Sequence, residues 1–594
     1  MKKFFRTTFA CVLGTLIAGL VLMIIFTVML IGATASSVTS QEKPYISKAN
    51  TVLKIELSGT LQERYEEDIN FDPMTLLNQK EDNSSIGLDQ LSKALETAAN
   101  DKNIVGIYIE AKGLSAMPAS IEQVRKMLVE FKEKSGKWIY SYADNYAQGD
   151  YILASVADTV ILNPLGSVNI HGLGGTQMFY PIAFKKLGVE MKIFRVGTYK
   201  SAVEPYMCEE MSPANREQTL AYLNTIWDTY TTSVTASRGF TAEHFNNVAN
   251  TVTSLLPTEE ILAMNLVDTL MYRPQFDEWL KAKVGIADKE EINFATAAQL
   301  ASSVTDTNKS QNTIAIVYAV GDIMEEGGGI NSTELVPELT KIRKDENIKA
   351  VVLRVNSPGG SAYASEQIWA ELEAIQAAGK KVVVSMSDMA ASGGYYISCG
   401  ADRIFAENTT LTGSIGVFGT MPIAKELLQD KLGLRFDGVY THNGGNLLSG
   451  DALYCGIKEN EAMAIQRSVE NTYDLFTRRC AEGRGMSQDD IKKIAEGRVW
   501  VGKTAVEIGL VDEIGGLEEA VAYAANACEL ADYKITNYPI VKSKFEKLME
   551  NFGNMTRANI ASWVLGEDIE YLKALKEIEN ISGVQARMDN ITIK

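Results

Sequence analysis

The sequence predicts an α/β protein built from two tandem copies of one βαβ unit, preceded by a membrane-spanning helix. Three observations carry this prediction. Stretches that match in sequence recur about 244 residues apart. Each copy alternates short runs of β-branched residues with helical patterns, as proteins with parallel sheets do. The N-terminus carries an uncharged apolar run that is long enough to cross a bilayer.

The first element is the apolar run over residues 7–35, which is rich in Leu, Ile, Val and Met and follows three basic residues. About 20 apolar residues span a bilayer, whereas a cleaved signal peptide has an apolar region of about 7–15. Because positive charges stay in the cytoplasm, we expect residues 1–6 there and the rest of the chain outside a bacterial inner membrane. The sequence ATA at 33–35 is typical of a cleavage site, so removal of the anchor stays open.

The next elements are the two copies. The strand-like stretch 104–111 matches 348–355, and the helix-like stretch 120–131 matches 364–375. Apolar strands of this kind are typical of a parallel sheet that is buried on both faces. We assign copy one to residues 51–300 and copy two to 313–540, with a polar linker at 302–312. The tail over 541–594 contains amphipathic patterns and is predicted to be helical.

Composition excludes several function classes. The formal net charge is −18, which argues against a nucleic-acid partner because phosphate binding needs clustered Lys and Arg. The six cysteines form no CxxC pair and show no metal-ligand spacing, so no metal site is predicted. Only three histidines are present, far apart in sequence, which makes a Ser-His-Asp triad hard to assemble.

The copies differ at the residues that could carry chemistry. Copy two has DMAASGGYYIS at 388–398 where copy one has DNYAQGDYILA at 144–154, so Ser392 corresponds to Gln148. Copy two also has NSPGG at 356–360, and Gly359 there allows a turn whose exposed N–H groups could hold an oxyanion. Copy one lacks this Pro-Gly-Gly. A Ser at such a turn is also a common helix cap, so the comparison rather than the motif favours a nucleophile.

A serine nucleophile needs a base, and the candidate lies in the other copy. Lys200 stands in RVGTYKSAVEPY (195–206), and the aligned stretch of copy two has no lysine. With an ordinary pKa near 10.4, about 0.04% of a lysine is neutral at pH 7, so a lysine base must be desolvated. Lowering its pKa by about three units requires on the order of 4 kcal/mol from the fold. The sequence therefore predicts one site assembled from Ser392 of copy two and Lys200 of copy one.

Five motifs together resemble the signal peptide peptidase A family in its long, duplicated, membrane-anchored form. They are NSPGG (356–360), DMAASGGYYIS (388–398), TGSIGV (412–417), RVGTYKSAVEPY (195–206) and GRVW…EIGLVDEIGG (497–516). The resemblance implies Ser392 as nucleophile, Lys200 as general base and Ser414 as a second serine near the amine. It also implies that the N–H groups of Gly359 and Gly393 form the oxyanion hole.

The same resemblance implies a crotonase-like or Clp-protease-like fold in each copy and a homotetramer on the membrane. It further implies leftover signal peptides and other apolar peptides as substrates, with no metal or organic cofactor. Two alternatives stay open on the sequence: a crotonase-type acyl-CoA enzyme, and a non-catalytic membrane-tethered scaffold with a protease fold. Cleavage-site preference, and whether the Ser-Lys pair forms within one chain or between chains, are not determined by the sequence.

Overall fold

The computed structural model describes residues 45–65, 85–540 and 583–588, apart from 288, 304–307, 309, 443 and 444. Of the first 44 residues it describes only positions 13, 14 and 19, so the predicted anchor over 7–35 lies outside the described residues. No helix within the described ranges has both the length and the apolar character needed to cross a bilayer.

Copy one contains a sheet of seven described strands in which every neighbouring pair is parallel. Six of them follow one another across the sheet in the order Phe294–Thr296, Thr51–Gln62, Ile104–Ser115, Trp138–Tyr146, Thr159–Val168 and Thr269–Leu270. The short strand Ser85–Gly87 also pairs with Thr51–Gln62.

Copy two contains a sheet of eight described strands. Six follow the order Lys534–Tyr538, Thr313–Val320, Ile348–Ser357, Lys381–Ala391, Arg403–Ala406 and Glu513–Ile514. Leu411–Gly413 pairs with the end of Lys381–Ala391, and Val499–Val501 pairs antiparallel with it in turn. Alternate residues of Ile348–Ser357 lie in different apolar clusters: Val351 and Leu353 in one, Val352 in another. This sheet is therefore buried on both faces, as predicted.

The shared strand order confirms two tandem copies of one α/β unit. One hydrogen bond also occurs at equivalent positions in both copies. The hydroxyl of Tyr151 donates to the carbonyl oxygen of Leu266 over 2.9 Å, and Tyr395 donates to Leu510 over 2.9 Å. Both members of each bond are displaced by the same 244 residues that separate the sequence matches.

Helices cover the two sheets. In copy one they are Leu88–Asn100, Pro118–Ser135, Gln148–Ala154, Pro181–Leu187, Glu204–Met207, Pro213–Arg238, Ala242–Ala249, Thr258–Ala263, Arg273–Val284 and Ala297–Ser303. In copy two they are Ser332–Lys344, Ala362–Ala377, Gly393–Tyr396, Gly445–Leu448, Ala452–Cys455, Glu459–Arg484, Gln488–Ile494, Gly502–Glu507 and Leu517–Ala527. The long helix Pro213–Arg238 begins after Ser212, whose hydroxyl accepts a hydrogen bond from the Asn215 N–H, and ends at Gly239 with φ 70°.

A third, mixed sheet joins the copies. Its order is Ile330–Asn331, Ile323–Met324, Gly359–Ser361, Gly583–Arg587, Val417–Ile423 and Glu190–Val196. The last two strands pair antiparallel and come from copy two and copy one respectively. The sequence predicts a helical tail over 541–594, and the structure differs in the described part of it, where Gly583–Arg587 is a strand. The reason is tertiary: a hydrogen-bonding strand edge lies on each side of this segment.

Buried polar residues also join the two copies. The fully buried Arg354 of copy two pairs with Glu63 of copy one over 2.7 Å. Asp388, on the strand that leads to Ser392, accepts hydrogen bonds from the N–H and hydroxyl of Ser120 over 2.8 and 2.6 Å. Burial raises the pKa of the Asp388 carboxyl to about 6. The two copies are therefore held in a defined relative position around the strand that carries the serine.

Candidate active site

Ser392 lies at a sharp turn between a strand and a helix. The strand Lys381–Ala391 ends directly before it, and the short helix Gly393–Tyr396 begins directly after it. Its backbone has φ 55° and ψ −113°, a conformation that costs a non-glycine residue about 1–3 kcal/mol. Its N–H donates to the carbonyl of Gly413 over 2.8 Å, which helps to hold this turn. A nucleophilic serine on a strained strand-to-helix turn is a recurrent feature of hydrolases.

Lys200 reaches Ser392 from the other copy. It follows the strand Glu190–Val196, and its side chain is 1% exposed. Its Nζ donates a hydrogen bond to the Oγ of Ser392 over 2.7 Å. Burial of this kind favours the neutral form of an amine, which is the condition that a lysine base requires.

Ser414 completes the surroundings of the amine. The Nζ of Lys200 lies 3.1 Å from the Ser414 hydroxyl and 3.1 Å from the Ser414 carbonyl oxygen. Ser414 has a positive φ of 49°, and its N–H donates to the carbonyl of Arg498 over 2.7 Å. With Ser392, this serine gives the amine three oxygen acceptors that fix its direction.

The close approach of the lysine loop to copy two depends on a glycine. Gly497 has φ 76°, and a Cβ built there would lie 2.7 Å from the Cβ of Lys200. The N–H of Tyr199 donates to the carbonyl of Glu496 over 2.9 Å. A larger residue at position 497 would therefore push Lys200 away from Ser392.

Gly359 and Gly393 lie side by side next to the serine. Gly359 has φ 104°, and a Cβ built on it would lie 2.7 Å from the Gly393 nitrogen. Its N–H donates to the Oγ of Ser357 over 3.1 Å. The structure thus brings all five sequence-predicted site residues into one place, with Gly359 beside the turn that carries Ser392 and Gly393.

One residue that sequence reasoning missed ties the two halves of the site together. Gln218 is 2% exposed, and its amide nitrogen donates to the Tyr199 carbonyl over 3.0 Å and to the Ser201 hydroxyl over 3.1 Å. Its amide oxygen accepts from the Val499 N–H over 3.1 Å. It therefore connects the two chain neighbours of Lys200 to the strand Val499–Val501 of copy two. That strand pairs with Leu411–Gly413, which ends directly before Ser414. A lone Gln inside a helix carries no motif, so no sequence signal could have found it.

The corresponding place in copy one is closed by its own hydrogen bonds. Gln148 donates to the Gly172 carbonyl over 3.0 Å and accepts from the His171 N–H over 3.0 Å. Two residues later, the buried carboxylate of Asp150 accepts from the N–H groups of Gly113 and Leu114 over 2.9 and 3.0 Å. Burial raises the pKa of Asp150 to about 6. Gly113 and Leu114 correspond in sequence to Ser357 and Pro358, the two residues directly before Gly359, so this turn of copy one is already bonded to an acceptor.

A serine hydroxyl that contacts a buried amine beside two backbone amides is the arrangement of a serine hydrolase that forms a covalent intermediate. Comparison with known families narrows the class. The profile of peptidase family S49 matches residues 131–287 and 374–531, once in each copy, and the Clp protease profile matches residues 313–411. The chain belongs to peptidase family S49 and is a serine protease with Clp-protease-like domains in two tandem copies.

Individual relatives agree with this assignment. Protease 4 of Salmonella typhi is 35% identical over 514 residues, which cover 85% of this chain and 81% of the relative. Protease 4 of Haemophilus influenzae is 34% identical over 524 residues, covering 85% and 84%. A protein of Enterococcus faecium that is named, provisionally, as signal peptide peptidase SppA is 38% identical over 208 residues, covering 35% of this chain and 59% of the relative. Family membership favours the peptidase over the acyl-CoA enzyme and the scaffold that the sequence left open.

Proposed function

We propose that this protein is a membrane-anchored endopeptidase that degrades cleaved signal peptides with a Ser392–Lys200 dyad. One observation carries the proposal: the 2.7 Å contact between the Ser392 hydroxyl and the Lys200 amine, both buried. The two residues lie 192 positions apart and belong to different copies. In this proposal residues 51–300 form the copy that supplies the lysine, and residues 313–540 form the copy that supplies the serine.

The mechanism follows from the positions of these groups. Neutral Lys200 removes the proton from Ser392 as its oxygen attacks the carbonyl carbon of a peptide bond. The N–H groups of Gly359 and Gly393 stabilise the negative charge that develops on the carbonyl oxygen, and the first of them must turn from Ser357 to do so. The resulting lysine ammonium protonates the leaving amine, and the C–N bond breaks to leave an acyl-enzyme. Lys200 then takes a proton from water, which attacks the ester and releases Ser392.

Ser414 has a different role in this mechanism. Its hydroxyl and carbonyl oxygens hold the Lys200 amine at 3.1 Å, so that the nitrogen lone pair stays directed at Ser392 when the amine is neutral. When the amine is protonated, the same oxygens accept from the ammonium. Ser414 is therefore a positioning residue whose loss weakens the base without removing it.

Several features support the proposed substrate and location. The apolar run at 7–35 supports a single membrane pass, with residues 1–6 in the cytoplasm and both copies on the periplasmic side of a bacterial inner membrane. An anchored site meets apolar peptides close to the bilayer, and the name of the Enterococcus faecium relative supports signal peptides as that class. Family resemblance supports a homo-oligomer, proposed here as a tetramer. The proposed chemistry needs no cofactor.

The test uses the full chain in detergent and an apolar peptide that carries a fluorophore and a quencher. We expect Ser392→Ala to abolish cleavage and Lys200→Met to lower kcat by about 10²–10⁴, because a general base contributes that much. Lys192→Met is the matched control, since Lys192 lies on the strand that leads to Lys200 but is partly exposed and pairs with Glu190. A serine-directed phosphonate should label Ser392, and more slowly in Lys200→Met. Cleavage by Lys200→Met at the wild-type rate would refute the dyad.

A further inference from the structure

The strand Gly583–Arg587 fills a slot that leads to Ser392. We define the slot as the gap between the strands Gly359–Ser361 and Val417–Ile423. Within the described residues these two strands do not pair with each other, and each pairs with the tail strand that lies between them. One wall begins with Gly359, which lies beside Gly393, and the other begins three residues after Ser414. The slot is one strand wide, and its end lies at the candidate dyad.

The tail is held in the slot by backbone pairing on both sides. It runs antiparallel to both walls, with Ala586 opposite Gly360 and Gln585 opposite Phe418. Beyond the strand, the N–H of Met588 donates to the carbonyl of Pro358 over 2.7 Å. Addition of a strand to two open edges is a common way for a protein to bind an extended peptide.

The tail also approaches the candidate oxyanion donors closely. A Cβ on Gly359 would lie 2.1 Å from the Ala586 carbonyl oxygen, and a Cβ on Gly393 would lie 3.0 Å from the same atom. Glycines at these two positions leave room for a peptide carbonyl beside the catalytic turn. A peptide carbonyl in this region is what a peptidase must bind, and here it is supplied by the protein's own chain.

Side chains of the tail are accommodated selectively. Ala586 is 0% exposed, and Met588 is buried in an apolar cluster that includes Ala391 and Leu411. Arg587 instead points to a charge at the edge of the slot and pairs with Asp322 over 2.9 Å. A small residue and an apolar residue two positions apart fit the composition of an apolar peptide substrate.

We propose that residues 583–588 are an internal occupant of the substrate-binding slot, which a peptide must displace before it reaches Ser392. The inference rests on the proposed function, because it treats the slot as the place where substrate binds. Residues 541–582 tether the segment to the rest of the chain, so it competes as an intramolecular ligand at millimolar effective concentration or less. If the slot is open in about a tenth of the molecules, removal of the tail raises the apparent affinity for an added peptide about tenfold.

The test measures binding rather than cleavage and therefore uses the full chain with Ser392→Ala. One added variant ends the chain after residue 582, and a second, Ala586→Arg, places a long charged side chain where no space exists. The matched control is Arg587→Lys, which keeps the charge opposite Asp322. A fluorescent peptide of ten Leu and Ala residues is titrated while its anisotropy is measured, and the Tm of each variant is recorded.

We expect the two tail variants to bind the peptide at least tenfold more tightly and the control to bind it within twofold of the parent. A synthetic peptide with the sequence of residues 583–594 should reverse the gain of the shortened chain. Unchanged affinity in both tail variants, with unchanged Tm, would overturn the inference and make the strand a permanent part of the sheet. So would weaker binding in both. The proposed function is tested by a separate measurement of cleavage. Equal cleavage by the wild type and by Ser392→Ala would contradict the proposed function, whatever the tail variants bind.

Discussion

Gln218→Met tests whether the lysine is positioned from the far side of the copy interface. Methionine has nearly the volume of glutamine but neither donates nor accepts a strong hydrogen bond, so the change removes polar contacts without leaving a cavity. Four bonds are lost: those to the Tyr199 carbonyl, the Ser201 hydroxyl and the Val499 N–H, and a longer one of 3.4 Å to the Asn215 side chain on the same helix. Tyr199, Ser201 and Val499 lie on segments that flank the dyad.

The expected magnitudes follow from these bonds. Each contributes about 0.5–1.5 kcal/mol net, so their loss lowers the free energy of unfolding by about 3 kcal/mol in all. The catalytic effect comes through Lys200, because both of its neighbours lose an anchor. A displacement of about 1 Å at a reacting group lowers a rate by about 10²-fold. We therefore expect kcat to fall by about 10²-fold and KM to change little, since the slot itself is untouched.

The assay is steady-state cleavage of the quenched apolar peptide between pH 6 and 10, with the rate of phosphonate labelling at Ser392 measured in parallel. A displaced amine is less well held by Ser392 and Ser414, so the pH profile should shift as well as fall. The control is Asn224→Met, which replaces an exposed amide side chain of the same helix with methionine. A lower Tm with unchanged kcat, pH profile and labelling rate would refute the positioning role of Gln218.

Three further predictions concern single positions. Ser414→Ala removes one of three acceptors of the amine, so kcat should fall about tenfold, equivalent to about 1.4 kcal/mol, with labelling of Ser392 retained. Gln148→Ser should not create a second nucleophile, so mass spectrometry after phosphonate treatment should find one labelled serine per chain. Burial, with the charge of Glu122 beside it, raises the pKa of the Glu407 carboxyl from 4.5 to about 7, so the folded protein loses stability as pH rises from about 4.5 to 7. Glu407→Gln should therefore raise stability by up to about 3 kcal/mol at pH 8 and leave it unchanged at pH 4.5, as measured by urea unfolding.

The two-copy architecture could be predicted from the sequence because the same unit occurs there twice. The six strands that run in order across the sheet of copy one each have a counterpart in copy two, so the difference between Ser392 and Gln148 stands out against shared neighbours. The pairing of Lys200 with Ser392 was predicted by the same comparison, and the structure places the two side chains in contact, while their roles stay predictions. Alignment of the two copies thus supplied information on long-range contacts, which the pattern of a single strand or helix does not contain.

Other parts of the site depend on contacts that leave no local pattern. The tail strand Gly583–Arg587 pairs with residues more than 160 positions away, and five residues are too few to distinguish a strand from a frayed helix. Gln218 looks like any polar residue on a helix until its hydrogen-bond partners are known. The positive φ of Ser392 and Ser414 likewise arises from tertiary constraints, because neither residue favours that conformation by itself.

The change from Ser392 to Gln148 is only one of several that separate the copies, and together they make the division of labour hard to reverse. In copy one, a buried carboxylate, Asp150, stands where copy two has Gly394, and it accepts hydrogen bonds from the N–H groups of Gly113 and Leu114. In the proposed mechanism copy two could not work alone either, because its stretch aligned with Lys200 contains no lysine. Each copy has kept what the other lost, and Lys200 crosses the interface to reach the serine. The interface between the copies is therefore part of the proposed active site, and a change that separates them should stop catalysis even where both remain folded.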